Sequence, residues 1–471
     1  MKLKIFTLFI FIFGCSIGCK KLVQIPPPTS TITTSQVFAD SADAASALLG
    51  IYSTLAYTNY GFANSSLTIY PGLSADELLS FNTFIDLESM STNTILPANG
   101  NTSNLWSQGY ATLYQPNAVI EGLQASTGVS QSVKAEFIGE AKWIRAFINF
   151  YLVNLFGNIP LVTTVNYASN ALSTRASTTQ VYQSIISDLQ DAQNSLAADY
   201  SAGGGERIRA NKWAAAAMLA RVYLYTSDYP DAETQASSVI NNTGLYSLDS
   251  NLNNVFLADS PEAILQWQNN SSVNTNTYNA TNEGYQLIPY SSTSAPNFYL
   301  SNQLLSAFED SDYRKSAWLD STIYGGTTYY YPYKYKVGPT QAEANAPVTE
   351  YYTVLRLAEQ YLIRAEARAK QGKLPDAIKD LNIIRSRAHL VPLSISLTQD
   401  QILAAVFQER RIELFAEWGH RWLDLKRTGQ VSAVFSTIPY KSAYQPYQQL
   451  YPIPPYELQT DPNLVQNPGY Q

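Results

Sequence analysis

Apolar residues recur along much of the chain at spacings of three and four, the period of a helix with one buried face. Between Glu136 and Phe156 the residues Phe137, Ala141, Ile144, Ile148, Tyr151 and Leu155 keep that period, and Gly157, Asn158 and Pro160 end it. Ser177 to Gln180 has capping-box spacing, and Val181, Ile185, Leu189, Ala192 and Leu196 carry the period into a second helix. The two make a hairpin. Residues 213–226 and 231–241 make another around Asp228, Tyr229 and Pro230, and residues 351–370 and 375–388 a third around Gly372. A weaker pair spans 42–57 and 106–123, split by an insertion and interrupted at Pro116. A short period at 302–308 is the main helical signal between 243 and 350, where Ser, Asn, Thr, Gly and Pro dominate. The pattern predicts a mostly α fold with a large irregular insertion.

The hairpins resemble the tetratricopeptide repeat, in which small residues sit where two helices touch. Ala220 and Ala232 match two such positions, Ala365 and Ala377 match them again at the same spacing, and Gly372 fits the turn. Arg364 and Arg368 depart from the repeat, where apolar residues are usual. Long insertions between the pairs argue against an open solenoid.

The amino terminus has a different pattern. Lys2 and Lys4 precede an apolar run from Ile5 to Ile17, too short for a membrane-spanning helix and suited to a signal peptide over 1–18. Ser16, Ile17, Gly18 and Cys19 resemble a bacterial lipobox, with Ser16 where Leu is usual, so Cys19 is the expected lipid attachment site and Cys15 its rival. These are the sequence's 2 Cys, which leaves no internal disulfide, Cys nucleophile or zinc cluster in a mature chain starting at Cys19. Residues 19–34, rich in Pro, Thr and Ser, read as a tether to the body at 35–471.

Composition narrows the ligands. With 30 Lys+Arg against 37 Asp+Glu and no long basic run, the chain is a poor partner for nucleic acid. Its 34 Tyr are the unusual number, and aromatics crowd the stretch from Tyr246 to Tyr335. Sugars need flat apolar faces for their C–H sides and amides or carboxylates for their hydroxyls. Phe81, Asn82, Phe84, Trp267, Tyr278 and Tyr285 lie among polar neighbours and are the expected ligand contacts, whereas Trp106, Trp143, Trp213 and Trp422 follow helical periods and belong to the core. Trp318 and the Tyr329 to Tyr335 cluster stand in reserve, although alternation around Tyr331, Tyr333 and Tyr335 also suits a half-buried strand.

Catalytic chemistry has little to draw on. The 2 His, His389 and His420, fall in helical C-terminal segments, and a glycoside hydrolase would need two carboxylates across a cleft, for which Asp76, Glu77, Glu309, Asp310 and Asp312 are the loop acids on offer. Asp249, Asn251 and Asn253 imitate a calcium loop, but Asn254 and Ser260 replace its required Gly and Glu. Gly203 to Gly205 lacks a following Lys and reads as a linker, so no cofactor or metal is called for.

Thr398 and Gln401 open a last long helix, which carries Glu409, Glu413 and Glu417 toward Gly419. The run ERRIELFAEWGHRWLDLKR resembles the signature of the SusD/RagB family, surface lipoproteins of Bacteroidetes nutrient-uptake systems. YLIRAEARAKQGK at 361–373 and LYPIPPYELQTDPNLVQNPGY at 450–470 resemble two more of its segments in the expected order, so the resemblance covers essentially the whole chain. Trp418 is an extra residue relative to the shorter form of the signature, and Lys20 and Lys21 follow Cys19 where surface lipoproteins often carry acids.

The resemblance implies four tetratricopeptide-like helix pairs as a scaffold, about 35–242 and 351–430, with a loop-rich ligand region at 243–350 and a family segment at 431–471. It implies a non-catalytic glycan-binding lipoprotein, anchored at the outer membrane and facing the exterior, that delivers oligosaccharide to a SusC-like TonB-dependent transporter. Glu409, Arg410, Arg411, Glu413, His420, Arg421 and Asp424 are expected to form a structural ion network among Phe415, Trp418 and Trp422, because charges packed there need mutual partners. A helical-toroid hydrolase would release sugar, and a repeat adaptor would bind peptides or proteins.

Overall fold

The computed structural model describes residues 34–57, 61–272, 275 and 277–470. The expected signal peptide, Cys19 and the tether before Thr34 lie outside the described residues.

Most helices form where the period places them, while Leu67–Ser74 and Ile85–Thr92 lie outside the segments that the period predicts. In chain order they are α1 (Ser41–Tyr57), α2 (Leu67–Ser74), α3 (Ile85–Thr92), α4 (Gly100–Ala125), α5 (Gln131–Phe156) and α6 (Thr178–Ser195). After them come α7 (Lys212–Tyr225), α8 (Tyr229–Ile240), α9 (Leu357–Lys370), α10 (Leu374–Arg387), α11 (Gln399–Glu413) and α12 (His420–Arg427). Side-chain caps set several starts: Ser177 with Gln180 and Thr398 with Gln401 close reciprocal boxes, and Asp228 accepts from the Asp231 amide. Gly372 ends the α9 turn at φ 76°, a left-handed value that glycine adopts without a Cβ clash.

Consecutive helices pack on one another from α4 to α11, and α8 packs directly on α9. The chain between them therefore leaves the helical stack and returns to it. Ala220, Ala232, Ala365 and Ala377 are all fully buried at these contacts, where a larger side chain would push the helices apart. One main core runs from Phe38 to Ile453, and a smaller one lies under α9, α10 and α11. No described helix is long and apolar enough to cross a membrane.

Four expectations change. Pro116 does not interrupt α4, because its packing on α5 holds the helix through the missing amide bond. The helix expected from 351 starts at Leu357, since Tyr352–Arg356 is a strand paired antiparallel with Ala263–Trp267. Both strands are buried along their length, so neither shows the alternation that would have marked it. The 302–308 helix is confined to Asn302–Leu305. Glu417 lies beyond α11, in a tight turn where Ala416, Trp418 and Gly419 have φ of 50°, 49° and 67°. The extra Trp418 is accommodated by that left-handed turn, and its indole N–H donates to the Thr353 carbonyl at 2.7 Å.

Around this turn the charges join in pairs. Glu413 accepts from Arg314 (3.1 Å), Arg356 (2.6 Å) and Arg387, while Glu417 accepts from Arg356 (2.7 Å) and Lys334 (2.5 Å). Glu409 meets Arg314, Asp424 meets Arg410 and Arg427, and Asp76 is clamped by Arg411 and Arg421. Burial opposes ionisation of Glu413, but the three guanidinium groups prevail and hold it well below the usual carboxylate range. His420 stands at the edge of the network, 4.0 Å from Glu359, and burial keeps its imidazole neutral.

Glu77 behaves oppositely. Burial and the neighbouring Asp76 push its carboxyl up to about 8 against the pull of Arg421, Lys334 and Arg411. Its favourable contribution as a neutral acid is whole below the ordinary 4.5 and is lost as pH rises through about 8. Glu77→Gln should therefore leave stability unchanged near pH 4 and raise it near pH 8.5. Urea unfolding at the two pH values checks this, and parallel profiles for the two proteins would discard the assignment.

Candidate functional site

Two insertions meet outside the helical stack. Strand β1 (Leu78–Ser80) follows α2, and β3 (Phe298–Leu300) comes from the long insertion, after β2 (Ala263–Trp267). β1 and β3 pair antiparallel, and the Phe81 amide extends the ladder by donating to the Asn297 carbonyl at 3.0 Å. A hairpin of β4 (Leu319–Tyr324) and β5 (Thr327–Pro332) packs against β3. Its two-residue turn is Gly325–Gly326, with φ of 57° and 80°, the mirror-image turn that matches strand twist. β6 (Tyr352–Arg356) completes the set as the partner of β2.

This pairing gathers rings that are far apart in sequence. Phe81 sits between Tyr324 and Tyr329, with centroids 5.6 Å from each and planes at 88° and 86°. Tyr329 in turn meets Tyr299 at 5.0 Å and 75°. Edge-to-face contacts of this kind are favourable, and they leave Phe81, Tyr299 and Tyr329 half-exposed and Tyr324 exposed. Burial, with Tyr329 beside it, pushes the Tyr299 phenol up. Phe84 (69% exposed) and Tyr290 (68%) flank the group, the second on a loop that Thr322 ties down through the Ser291 and Ser294 carbonyls. Asn82 and Asn297 are exposed there and bring amides. The result is a fixed, solvent-facing aromatic platform with hydrogen-bonding groups beside it.

Phe81, Asn82 and Phe84 thus lie together. Trp267 does not join them: it is fully buried, donates its indole N–H to the Ala63 carbonyl at 3.2 Å, and packs against Tyr52, Trp143 and Phe147. The polar neighbours that suggested exposure are themselves bonded inside, Gln266 to Thr353 and Asn269 to the Tyr278 carbonyl. Tyr278 and Tyr285 are half-buried, and among the described residues no ring contact ties either to the platform. Trp318 is also core, with its indole N–H on the Leu252 carbonyl. Tyr331 and Tyr335 are buried on the inner side of their segment, while Tyr329 is half-buried and Tyr330 exposed. Sequence reasoning missed Tyr290, Tyr299 and Tyr324, although Gly325–Gly326 between Tyr324 and Tyr329 is a hairpin signal.

Three of the five acids offered for hydrolysis have arginine partners, whereas Glu77 is buried beside Asp76 and Asp310 is exposed. Asp312 caps a helix and pairs with Arg314, Glu309 pairs with Arg385, and Asp76 pairs with Arg411 and Arg421. His389 stacks on Tyr313 at 4.7 Å. Among the described residues no three His, Cys, Asp or Glu side chains gather as metal ligands.

Comparison with known proteins bears on this arrangement. A model of the SusD family matches residues 320–470, and one described as starch-binding associating with outer membrane matches 34–224. The SusD-like protein P2 of Formosa agariphila is 28% identical over 98% of this chain and 99% of its own. The starch-binding protein SusD of Bacteroides thetaiotaomicron is 24% identical over 74% of this chain and 75% of its own. A solved laminarin-binding SusD-like protein superposes with TM-score 0.77 at 25% identity, covering 92% of this chain and 100% of that one. A SusD superfamily protein from Bacteroides vulgatus gives 0.78 at 22% identity, over 92% of this chain and 99% of its own.

Proposed function

Because the chain belongs to the SusD/RagB family, we propose that it is a glycan-binding lipoprotein of the outer membrane that captures oligosaccharide without cleaving it. The observation that carries this reading is the platform of Phe81, Tyr299, Tyr324 and Tyr329, flanked by Phe84 and Tyr290. Its rings suit the C–H faces of sugars, and Asn82 and Asn297 suit their hydroxyls. Tyr278 and Tyr285 serve as outlying contacts for a longer chain. The arginines on Asp76, Glu309 and Asp312 support a binding role, since a carboxylate held by a guanidinium is poorly placed to donate a proton, receive the sugar or activate water. A relative that binds laminarin and another that binds starch make glucose polymers the first ligands to try.

The captured sugar is handed to a SusC-like TonB-dependent transporter, against which the helical stack packs, while the lipid on Cys19 and the 19–34 tether keep the body at the membrane. Calorimetry of laminarihexaose and maltohexaose against the mature protein tests the binding step. Saturable binding without released glucose is expected, and release of shorter sugars by pure protein would replace the reading with a hydrolase. Cys19→Ala should move the protein from the membrane to the soluble fraction and abolish its co-purification with a barrel from detergent extracts. Retention of the variant in membranes would dismiss the anchor.

A further inference from the structure

A second cleft lies on the opposite kind of surface, between helices and the C-terminal segment. Its volume is about 390 Å³, and its walls are α4, the stretch 160–171 and the short helix Pro455–Thr460. Trp106 and Tyr110 form the floor, their rings 4.8 Å apart, and the Tyr110 hydroxyl is fixed on the Pro160 carbonyl at 2.9 Å. Three further tyrosines stand at the rim, one on each wall: Tyr114 (57% exposed), Tyr167 (84%) and Tyr456 (71%). Among the described residues their hydroxyls have no protein partner. None of these residues belongs to the platform around Phe81.

The polar lining sets the ligand chemistry. Glu457 and Asp461 line the cleft together with the Asn170 amide and Thr164, and no Lys or Arg does. Burial pushes the Glu457 carboxyl up, against a smaller downward pull from the Trp106 side chain. The Asn170 side-chain N–H donates to the Thr164 carbonyl at 2.7 Å, which turns its amide oxygen to other donors. Two acids without a basic residue turn away phosphates, sulfates and uronates. They accept from hydroxyls, and the five aromatic rings offer apolar faces to a ring of C–H groups. The volume is that of a small-ligand cleft.

We propose that this cleft is a second saccharide site, taking one end of a neutral oligosaccharide independently of the Phe81 platform. The proposal rests on the glycan-binding reading above and extends it: two separated sites would let one chain hold a long polymer at two points, raising retention through effective concentration.

The test uses the mature protein and hexasaccharides of glucose, mannose and xylose, followed by calorimetry and by Trp fluorescence. The expected result is two sugars bound per chain. The triple variant Tyr114→Ala, Tyr167→Ala, Tyr456→Ala keeps one of them and loses the fluorescence change, whereas Phe81→Ala, Phe84→Ala keeps the other. Since the three tyrosines are exposed, the variant should melt with the wild type. Glu457→Gln provides a milder check and should weaken the second site several-fold. One sugar per chain, unaffected by the cleft variants but lost with Phe81 and Phe84, overturns this proposal alone. No binding of any hexasaccharide overturns the platform reading together with it. A triple variant that binds sugar normally but no longer co-purifies with a barrel makes the cleft a protein contact and also overturns it.

Discussion

Replacing Glu413 by Ala should lower the free energy of unfolding by about 3–5 kcal/mol, the usual result of removing one partner from a buried ion network. The reason is asymmetric. Arg314, Arg356 and Arg387 all donate to this one carboxylate; the first two are buried and the Arg387 side chain is only 5% exposed, so the change leaves cations out of water with fewer partners. Arg356 keeps Glu262 and Glu417, and Arg314 keeps Asp312 and Glu409, which puts Arg387, left with Glu262, under the greatest loss. The same carboxylate sets an acid limit. Because its pKa is held below 4.5, it stabilises the fold above that pH, and the contribution is lost as pH falls through the depressed value. Urea unfolding at pH 7 and pH 3 reads both effects. The variant should be weaker at pH 7 and the gap should narrow at pH 3 without closing, and a variant as stable as the wild type at pH 7 would show that the network contributes nothing net.

The platform should respond in the opposite manner. Phe81→Ala together with Phe84→Ala is expected to weaken oligosaccharide binding by about 10- to 100-fold, from the loss of about 1–3 kcal/mol of stacking, while the melting temperature changes little. Phe84 is largely exposed and Phe81 half-exposed, so little core packing goes with them. Trp267→Phe should do the reverse, lowering the melting temperature and leaving affinity alone, because the indole binds Ala63 inside the core. Calorimetry paired with thermal melts separates the cases. Unchanged affinity in the double variant would move the ligand away from these rings.

What was legible from sequence follows from the range of the interactions involved. Helices α5, α6, α8 and α11 announced themselves, because a 3.6-residue period and a cap at Ser177, Asp228 or Thr398 are written within a few positions. The ion network was legible as a need, since charges beside Phe415, Trp418 and Trp422 must find partners, but Arg314, Arg356 and Glu262 come from elsewhere in the chain. Phe81 and Phe84 could be picked from their polar neighbours. Tyr329 could be placed only in the reserve cluster and Tyr299 not at all, because only the pairing of β1 with β3 brings them to Phe81. Trp267 failed for a related reason: a strand buried on both faces has no alternation, so Gln266 and Asn269 looked like solvent-facing neighbours while serving as internal hydrogen-bond partners.

The ladder between Leu78–Ser80 and Phe298–Leu300 has a further consequence for how tightly a sugar can be held. Three residues on each side, with the Ser301 contacts to the Asp76 and Glu77 carbonyls, form the seam that keeps the two insertions together. Backbone bonds in so short a seam are few, so its hold rests also on Leu78, Phe298 and Leu300, which are buried in the main core, and weakening that packing favours local opening while the helical stack stays folded. Whenever it parts, Phe81 leaves Tyr324 and Tyr329, and the platform ceases to exist as one surface. Apparent affinity is then the intrinsic affinity scaled by the fraction of time the seam is closed. A sugar spanning both insertions fastens that seam in return, so substitutions in Leu78 or Leu300 can tune apparent affinity without touching a residue that meets the ligand.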